Sequence, residues 1–293
     1  MAASTPGITR AGTVDLGGKI VNRLGFGAMR LADADFWGPP ADRDSAIRVA
    51  RRAVELGVNF IDTADSYSLG GNEELLREAL HPYPEHLLIA TKAGQTQPRR
   101  REWVAVGRPE YLRQQCELSL RRLRVDRIDL YQLHRVDPQV PFEDQIGELR
   151  NLRDEGKIRA VGLSEVDVPQ IEAARQLVDV VSVQNMYNLA ARDWEAVVDY
   201  CTRERIAFIP WFPMMSGTLS APQGAVTQVA AETGATAAQV ALAWLLARAD
   251  VMLPIPGTSS IDHLEENVAA AGVVLTPEQI ALLSASPVTT PAP

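Results

Sequence analysis

The sequence predicts an α/β protein whose eight parallel strands close into a barrel. Short apolar runs alternate with amphipathic helical patterns along most of the chain, in a repeating strand–helix order. Such alternation is typical of a parallel sheet, because each parallel connection needs a crossover helix. No shift in composition marks a domain boundary within the 293 residues. We therefore expect one (β/α)8 TIM barrel domain over residues 1–293, with residues 286–293 as a loose tail.

The expected elements follow one another at regular intervals. The strands are predicted at residues 24–29, 59–62, 87–92, 128–134, 160–164, 180–184, 207–210 and 252–255. The helices are predicted at residues 45–56, 72–80, 108–123, 142–155, 168–177, 192–203, 235–248 and 260–271. Gly57 and Gly156 end two of these helices, and Pro109 begins another. Gly17 and Gly18 predict the turn of an N-terminal β-hairpin between residues 12–16 and 19–21.

An open, doubly wound sheet is the competing architecture. It would lead us to expect a glycine fingerprint directly after the first strand. Gly25-Phe26-Gly27 does not supply the third glycine at the right spacing, and no Ser- or Asn-capped helix follows directly. The sequence therefore favours the closed barrel.

Composition excludes several classes of function. The net charge is −8 and the pI about 5.1, which argues against a nucleic-acid-binding surface. No apolar run is long enough to span a bilayer, and no signal peptide is evident. Cys116 and Cys201 are far apart and read as free thiols in a reducing cytoplasm. The four histidines form no metal-binding spacing, so we expect no metal.

Four polar side chains stand at the ends of three predicted strands. Asp62 and Tyr67 follow the second strand, Lys92 ends the third, and His134 ends the fourth. In a barrel these ends meet at one mouth, where catalytic groups gather. Lys92 beside Asp62 would stay charged and would lower the pKa of Tyr67, so that the phenol could donate a proton. Because no activated nucleophile or metal cluster accompanies them, a cofactor would supply the other half of the reaction.

Each residue also has an ordinary structural interpretation. Asp62 could form a turn, Tyr67 could be a half-exposed loop aromatic, Lys92 could be a solvated strand end, and His134 could be a satisfied core histidine. Their order on successive strand ends favours a shared site.

The chain at this point resembles the aldo-keto reductase family, from residue 12 to about residue 283. Asp62, Tyr67, Lys92 and His134 match the family's catalytic tetrad, and residues 156–164 match its signature before the fifth strand. The resemblance implies a barrel that binds NADPH in extended form. It also implies hydride transfer to an aldehyde or ketone, with Tyr67 as general acid and His134 orienting the carbonyl.

The resemblance also implies a set of cofactor-binding residues. Ser164 and Gln184 would hold the nicotinamide carboxamide, and Tyr187 would stack on the ring. Glu165 replaces the family's usual Asn; its carboxylate would accept from the amide and favour the oxidised cofactor, unless it points to solvent. The remaining cofactor contacts would come from Pro210, Trp211 and Phe212 near the pyrophosphate, and from Gly257, Thr258, Ser259, His263, Glu266 and Asn267 around the adenosine phosphate.

Two family cations are missing from the phosphate segment. Gly257 stands where many NADP-specific members have Lys, and His263 stands where they have Arg. Arg pairs with phosphate in a bidentate manner, whereas His is nearly neutral at pH 7. We therefore expect NADPH as the first cofactor, with weaker selection for the 2′-phosphate and NADH as a second possibility.

The expected substrate pocket is formed by loops. Phe36, Trp37, Trp103 and Met214 are its candidate lining residues, and residues 94–107 are a candidate flap. The run Arg99-Arg100-Arg101 in that flap reads as a solvated loop rather than an anion site. No long C-terminal substrate loop is expected, which favours a permissive pocket for small carbonyl compounds.

Three functions remain open from the sequence. The first is a carbonyl reductase, acting as a monomer by family analogy. The second is a nicotinamide-binding sensor or interaction subunit with little turnover, as some relatives associated with ion channels are. The third is an unrelated barrel, such as a phosphate-handling lyase.

Overall fold

The structure is a computed structural model that describes residues 7–214 and 224–285. The tail expected at residues 286–293 lies outside the described residues. Seven strands form one parallel sheet. In spatial order they are β11 (Ala207–Phe208), β10 (Val180–Gln184), β9 (Ile158–Ser164), β8 (Ile128–Leu133), β5 (Leu88–Ala93), β4 (Phe60–Asp62) and β3 (Phe26–Gly27).

The expected eighth strand closes the barrel without forming a regular ladder. On one side, Leu253 donates its backbone N–H to the carbonyl of Phe208. On the other, Gly25 and Gly27 donate to the carbonyls of Pro254 and Pro256. Because proline has no N–H, this segment cannot return hydrogen bonds at residues 254 and 256. Hydrogen bonds on both sides nevertheless close the ring.

The helices surround the barrel and lie close to the predicted positions. Five of them lie before residue 180: α1 (Arg43–Glu55), α2 (Gly71–Leu80), α3 (Pro109–Leu123), α4 (Phe142–Asp154) and α5 (Val168–Arg175). Five more follow: α6 (Glu195–Glu204), α7 (Ala225–Thr233), α8 (Ala237–Arg248), α9 (Ile261–Ala269) and α10 (Pro277–Ala285). Helices α7 and α10 were not predicted from the sequence.

Successive side chains along each strand face alternately into the barrel and out toward the helices, and the two sets form separate buried cores. Inward-facing Phe60, Leu88, Leu130 and Ala160 belong to one buried cluster inside the barrel. Their outward-facing neighbours pack beneath the helices in two larger clusters. Since side chains alternate along a strand, the next inward positions at the strand ends point into the mouth of the barrel.

The predicted N-terminal hairpin covers the opposite end of the barrel. Strands β1 (Thr13–Asp15) and β2 (Ile20–Asn22) are paired antiparallel. Leu16 and Val21 are buried with the inward-facing residues, and Lys19 forms an ion pair with Asp129 of β8 at 2.8 Å. The hairpin therefore seals the end of the barrel that lies away from the strand termini.

A second hairpin, which the sequence analysis expected only as a flap, lies at the open end. It consists of β6 (Gln95–Arg99) and β7 (Glu102–Ala105). In the described part of the chain, no single helix has both the length and the composition to cross a membrane; α7 and α8 qualify only as a pair bent by 95°.

Candidate active site

A cleft of about 540 Å³ opens at the C-terminal ends of the strands. It is lined by Gly27, Met29, Arg30, Phe36, Asp62, Tyr67, Gln95, Trp103, His134, Arg135, Ser164, Gln184, Trp211, Phe212, Pro213, Met214, Ile255 and Gly257. These residues come from many different strands and loops. The fold thus brings Asp62, Tyr67 and His134 to one cavity, with Lys92 directly beneath.

Lys92 and Asp62 form a buried ion pair at the floor of the cleft. Lys92 Nζ donates to Asp62 Oδ1 at 2.5 Å and to the carbonyl of Thr63 at 2.8 Å. The other carboxylate oxygen accepts from the amides of Gln132 and Gln184, at 3.0 and 2.9 Å. Burial lowers the pKa of Lys92, but the Asp62 carboxylate and the Tyr67 hydroxyl together outweigh burial, and the pKa is raised. As expected, Lys92 is held in its charged form.

Tyr67 is positioned above this pair by an unusual turn. Ser68 and Leu69, the two residues after it, have left-handed backbones (φ 54° and 51°), and Ser68 N donates to the carbonyl of Phe36 at 2.8 Å. The ring centroid of Tyr67 lies 5.2 Å from Lys92 Nζ. The phenol and the ammonium therefore meet in the cleft.

The expectation of a lowered phenol pKa is wrong in its net direction. Burial raises the pKa of Tyr67, and the nearby Lys92 charge opposes that rise without cancelling it. The physical reason is that a phenolate would lose its hydration in this buried position. Tyr67 is therefore held as the neutral phenol at neutral pH, which is the form that can donate a proton.

His134 faces Tyr67 from the end of β8. The two rings meet edge to face with centroids 5.8 Å apart, and Nδ1 lies 3.5 Å from Ser66 Oγ. Burial, reinforced by the charges of Lys92 and Arg135, lowers the pKa of His134 well below its usual value. The imidazole is therefore neutral and offers one N–H donor.

Arg135 is a cleft residue that the sequence analysis missed. Its Nη1 donates to the carbonyl of His134 at 2.6 Å and to Ser164 Oγ at 3.0 Å. Its guanidinium carbon lies 5.8 Å from the ring centroid of Trp211. An arginine directly after a predicted catalytic strand end, in a protein of net charge −8, is the signal that could have identified it.

Glu165 does not line the cleft, contrary to the expected contact with the carboxamide. A left-handed backbone (φ 54°) turns it away, and Oε1 accepts from Met186 N at 2.6 Å and from Trp211 Nε1 at 2.7 Å. The alternative of a solvent-pointing side chain is also wrong, since Glu165 is partly buried and bonded. Its observed contact is with the indole of Trp211.

Tyr187 is not in the cleft, so the expectation that it stacks on the cofactor is wrong. It is fully buried and packs against Trp244, with centroids 5.9 Å apart and planes at 17°. Its hydroxyl donates to Glu195 Oε2 at 2.6 Å. Three residues after Gln184, the chain has already turned outward under the helices. Trp211 is the large aromatic that lines the cleft instead.

The segment expected to bind adenosine phosphate leads into α9. Thr258 is buried, whereas Ser259 and His263 are exposed and Glu266 is partly buried. Asn267 is buried, and its Nδ2 has no hydrogen-bond partner within residues 7–214 and 224–285. Gly257 packs so tightly that an added Cβ would lie 2.6 Å from the carbonyl oxygen of Gly27. The family's lysine therefore does not fit this backbone.

The loops around the cleft agree in part with the expected pocket. Phe36, Trp103, Met214 and Phe212 line it, whereas Trp37 does not. Trp37 is held by the turn at Asp33, whose Oδ1 accepts from its backbone N at 2.8 Å. Pro210 is buried in the strand-to-loop connection and also lies off the cleft.

The arginine run of the second hairpin is exposed, as predicted, and its side chains also form ion pairs. Arg100 contacts Asp33 at 3.0 Å and Asp35 at 3.2 Å, and Arg101 contacts Asp35 at 2.6 Å. These ion pairs connect the hairpin to the loop after β3 across the mouth of the cleft. Within the described residues, no group of His, Cys, Asp or Glu side chains is arranged to hold a metal ion.

The fold and the site define an α/β barrel protein that brings a buried lysine–aspartate pair, a phenol and an imidazole together at one cleft. Comparison with known proteins agrees: the Aldo/keto reductase family model matches residues 23–286. An uncharacterized oxidoreductase of Schizosaccharomyces pombe is 50% identical over 282 residues, 96% of this chain and 92% of that protein. Pyridoxine 4-dehydrogenase of Escherichia coli is 41% identical, over 92% of this chain and 96% of its own.

A solved structure gives the same result. The aldo-keto reductase from Klebsiella pneumoniae in complex with NADPH is 27% identical with a TM-score of 0.78, covering 92% of this chain and 93% of that one. The chain belongs to the aldo/keto reductase family. The predictions of the family, of the barrel fold and of an NAD(P)H-dependent oxidoreductase are thereby confirmed.

Proposed function

We propose that the protein reversibly reduces aldehydes and ketones to alcohols with NADPH, and that Tyr67 is the general acid. The observation that carries this proposal is the neutral phenol of Tyr67 lying between the Lys92 ammonium and a neutral His134 in one cleft. A buried phenol beside a fixed cation is a proton donor whose conjugate base the cation stabilises.

The cleft and the segment that leads into α9 offer partners for a nicotinamide dinucleotide. Ser164 and Gln184 line the cleft and offer polar groups for the carboxamide, and the Trp211 indole offers a flat face for the ring. The unpartnered Nδ2 of buried Asn267 needs an acceptor, which an adenine nitrogen would supply. When bound, NADPH supplies the hydride.

The phosphate groups would lie near the start of α9. Ser260 caps this helix, and the helix N-terminus favours anions. His263 stands where NADP-specific family members have a phosphate-binding Arg, and histidine is a weaker partner for a phosphate than arginine. We propose NADPH as the preferred cofactor, with NADH accepted at lower efficiency.

The protein's own groups carry the proton chemistry. His134 donates its N–H to the carbonyl oxygen and orients it toward Tyr67. Tyr67 gives its proton to that oxygen as negative charge develops there, and Lys92 stabilises the phenolate that is left. Asp62 keeps Lys92 charged and fixed. In the reverse direction, the phenolate accepts the proton of the alcohol.

The substrate is proposed to be a small aldehyde or ketone. Phe36, Trp103, Trp211 and Met214 give the cleft apolar walls that suit a flat or aliphatic compound. Because the E. coli relative is a pyridoxine 4-dehydrogenase, pyridoxal is the first aldehyde to test. The cytoplasmic location and the monomeric state stay predictions, which fractionation and size-exclusion chromatography would test.

The test combines cofactor binding with turnover. We expect NADPH to bind the parent and the Tyr67→Phe variant with similar Kd, measured by fluorescence titration. We expect kcat for pyridoxal reduction to fall at least 100-fold in Tyr67→Phe, because only the donated proton is lost. Binding without turnover in the parent would instead support the sensor alternative. Failure of the parent to bind NADPH would contradict the proposed cofactor preference.

A further inference from the structure

Arg135 is a cation in the cleft that has no ion-pair partner. Within residues 7–214 and 224–285, no carboxylate lies within 4.0 Å of its guanidinium. The residues outside these ranges include no Asp or Glu side chain. Arg135 is partly buried, and withdrawing an arginine from water is costly unless an opposite charge lies near it. The missing charge therefore calls for an explanation.

The other charges near the cleft floor are already compensated. Lys92 is paired with Asp62, and His134 is neutral. Glu165 is the acid whose charge acts on Arg135, but its Oε1 already accepts from a backbone N–H and from the Trp211 indole. Burial outweighs the Glu165 charge and lowers the pKa of Arg135. Glu165 therefore acts on Arg135 only from a distance, and the guanidinium has no directly bonded anion.

The guanidinium also has donors to spare. Both of its hydrogen bonds come from Nη1, to the carbonyl of His134 and to Ser164 Oγ. Among the described residues, Nε and Nη2 have no acceptor, although the group carries five N–H donors in a planar fork. A carboxylate matches such a fork with two parallel hydrogen bonds, and the single oxygen of an ionised phenol can accept a charge-assisted hydrogen bond from it. Arg135 also directly follows His134, the residue that would orient the carbonyl.

We propose that Arg135 binds an anionic oxygen of the substrate, so that the preferred substrates are carbonyl compounds carrying a carboxylate or an ionised phenol near the carbonyl. This inference rests on the proposed reductase function and names its substrate class. The carbonyl and the anion of such a substrate must lie close together, because Arg135 directly follows His134 and both line the same cleft.

Matched pairs of aldehydes test the proposal. Succinic semialdehyde is compared with its methyl ester, and pyridoxal with its 3-O-methyl ether, so that the anion is removed while the aldehyde is kept. The first pair tests a carboxylate and the second a phenolate. Values of kcat/KM with NADPH are measured for the parent, Arg135→Gln and Arg135→Lys. Arg101→Gln is the control, since Arg101 is an exposed cation that does not line the cleft.

We expect the parent to prefer the anionic member of at least one pair at least tenfold. Arg135→Gln should lower kcat/KM at least tenfold more for the anionic member than for the neutral member, and Arg135→Lys should restore part of that difference. Arg101→Gln should keep the parental preference. The NADPH Kd and the melting temperature of each variant show whether it folds and binds cofactor.

Two results would overturn the inference while leaving the reductase function intact. One is equal turnover of both members of both pairs by the parent. The other is an equal loss for charged and neutral members in Arg135→Gln, which would mean that Arg135 serves the cofactor or the fold. Turnover of none of the aldehydes by the parent would refute the reductase function and this inference with it.

Discussion

Replacing Lys92 with methionine would leave the carboxylate of Asp62 buried without its cation. The Lys92 side chain is fully buried and that of Asp62 is 3% exposed, so water cannot take the place of the ammonium. Removing one partner of a buried ion pair costs about 3–5 kcal/mol. The amides of Gln132 and Gln184 still donate to Asp62 Oδ2, which places the expected cost near the lower end, at about 3 kcal/mol.

This cost should be visible in thermal and chemical unfolding. For a chain of 293 residues the unfolding entropy is roughly 0.6 kcal/mol/K, so about 3 kcal/mol lowers Tm by roughly 5 °C. Urea unfolding of the same variants gives the free energy directly. The double variant Asp62→Asn/Lys92→Met carries no stranded charge, and we expect it to recover at least half of the loss.

The matched control is an exposed ion pair of similar length. Arg43 contacts Glu78 at 2.6 Å, with 39% and 48% of the two side chains exposed. We expect Arg43→Met to cost less than about 1 kcal/mol. The reasoning would be refuted if Lys92→Met cost no more than Arg43→Met, or if the double variant were less stable than Lys92→Met alone.

Three further predictions concern pH, cofactor choice and the aromatic residues. The pKa of His134 is well below its usual value in the folded protein, so below about pH 6.5 the unfolded state binds a proton that the folded state does not. The folded protein therefore loses stability as the pH falls, by about 1.4 kcal/mol at pH 5.5. We expect His134→Gln to remove this loss. His263→Arg should raise the preference for NADPH over NADH roughly 3- to 10-fold. Tyr187→Phe should leave the NADPH Kd unchanged and cost about 1 kcal/mol of stability through the lost hydrogen bond.

Each of these has a direct check. Urea unfolding at pH 7.5 and 5.5 tests His134, and an equal pH dependence in parent and variant would contradict it. Fluorescence titration with both cofactors tests His263, for which an unchanged Kd ratio is the contrary result. Trp211→Leu is compared with Tyr187→Phe, and we expect it to weaken NADPH binding at least tenfold. A larger effect on NADPH binding in Tyr187→Phe would show that Tyr187, and not Trp211, contacts the cofactor.

Strand ends were predictable because alternation along a strand has a fixed period. Asp62 and Lys92 each end a short apolar run, and the barrel then brings such ends to one mouth. The position of the eighth strand was predicted, but its irregular hydrogen bonding was not. Pro254 and Pro256 lack the N–H groups that a ladder needs, so the segment closes the barrel with hydrogen bonds on alternate residues only.

Loop geometry accounts for the errors at the site. Tyr187 follows Gln184 closely in sequence, yet the chain turns outward in between and buries the ring against Trp244. Glu165 has a left-handed backbone that sequence spacing does not reveal. The direction of the pKa shift of Tyr67 was predicted wrongly, because the sequence reveals the neighbouring Lys92 charge but not the burial that opposes its effect.

Long-range pairing was also beyond the sequence. Asp33 and Asp35 precede Arg100 by more than sixty positions, and only the folded loops bring them together across the cleft. Arg135 stands next to His134 in the chain, but its missing ion pair is visible only once every surrounding carboxylate has been placed.

Transfer of deuterium to pyridoxal from NADPH that is deuterated at both C4 positions tests the central claim most directly. In the parent, we predict that the alcohol product carries one deuterium from the cofactor, measured by mass spectrometry. In Tyr67→Phe with NADPH bound, we predict that the rate of transfer falls at least 100-fold. A product without deuterium, or transfer in Tyr67→Phe at the parental rate, would contradict the account.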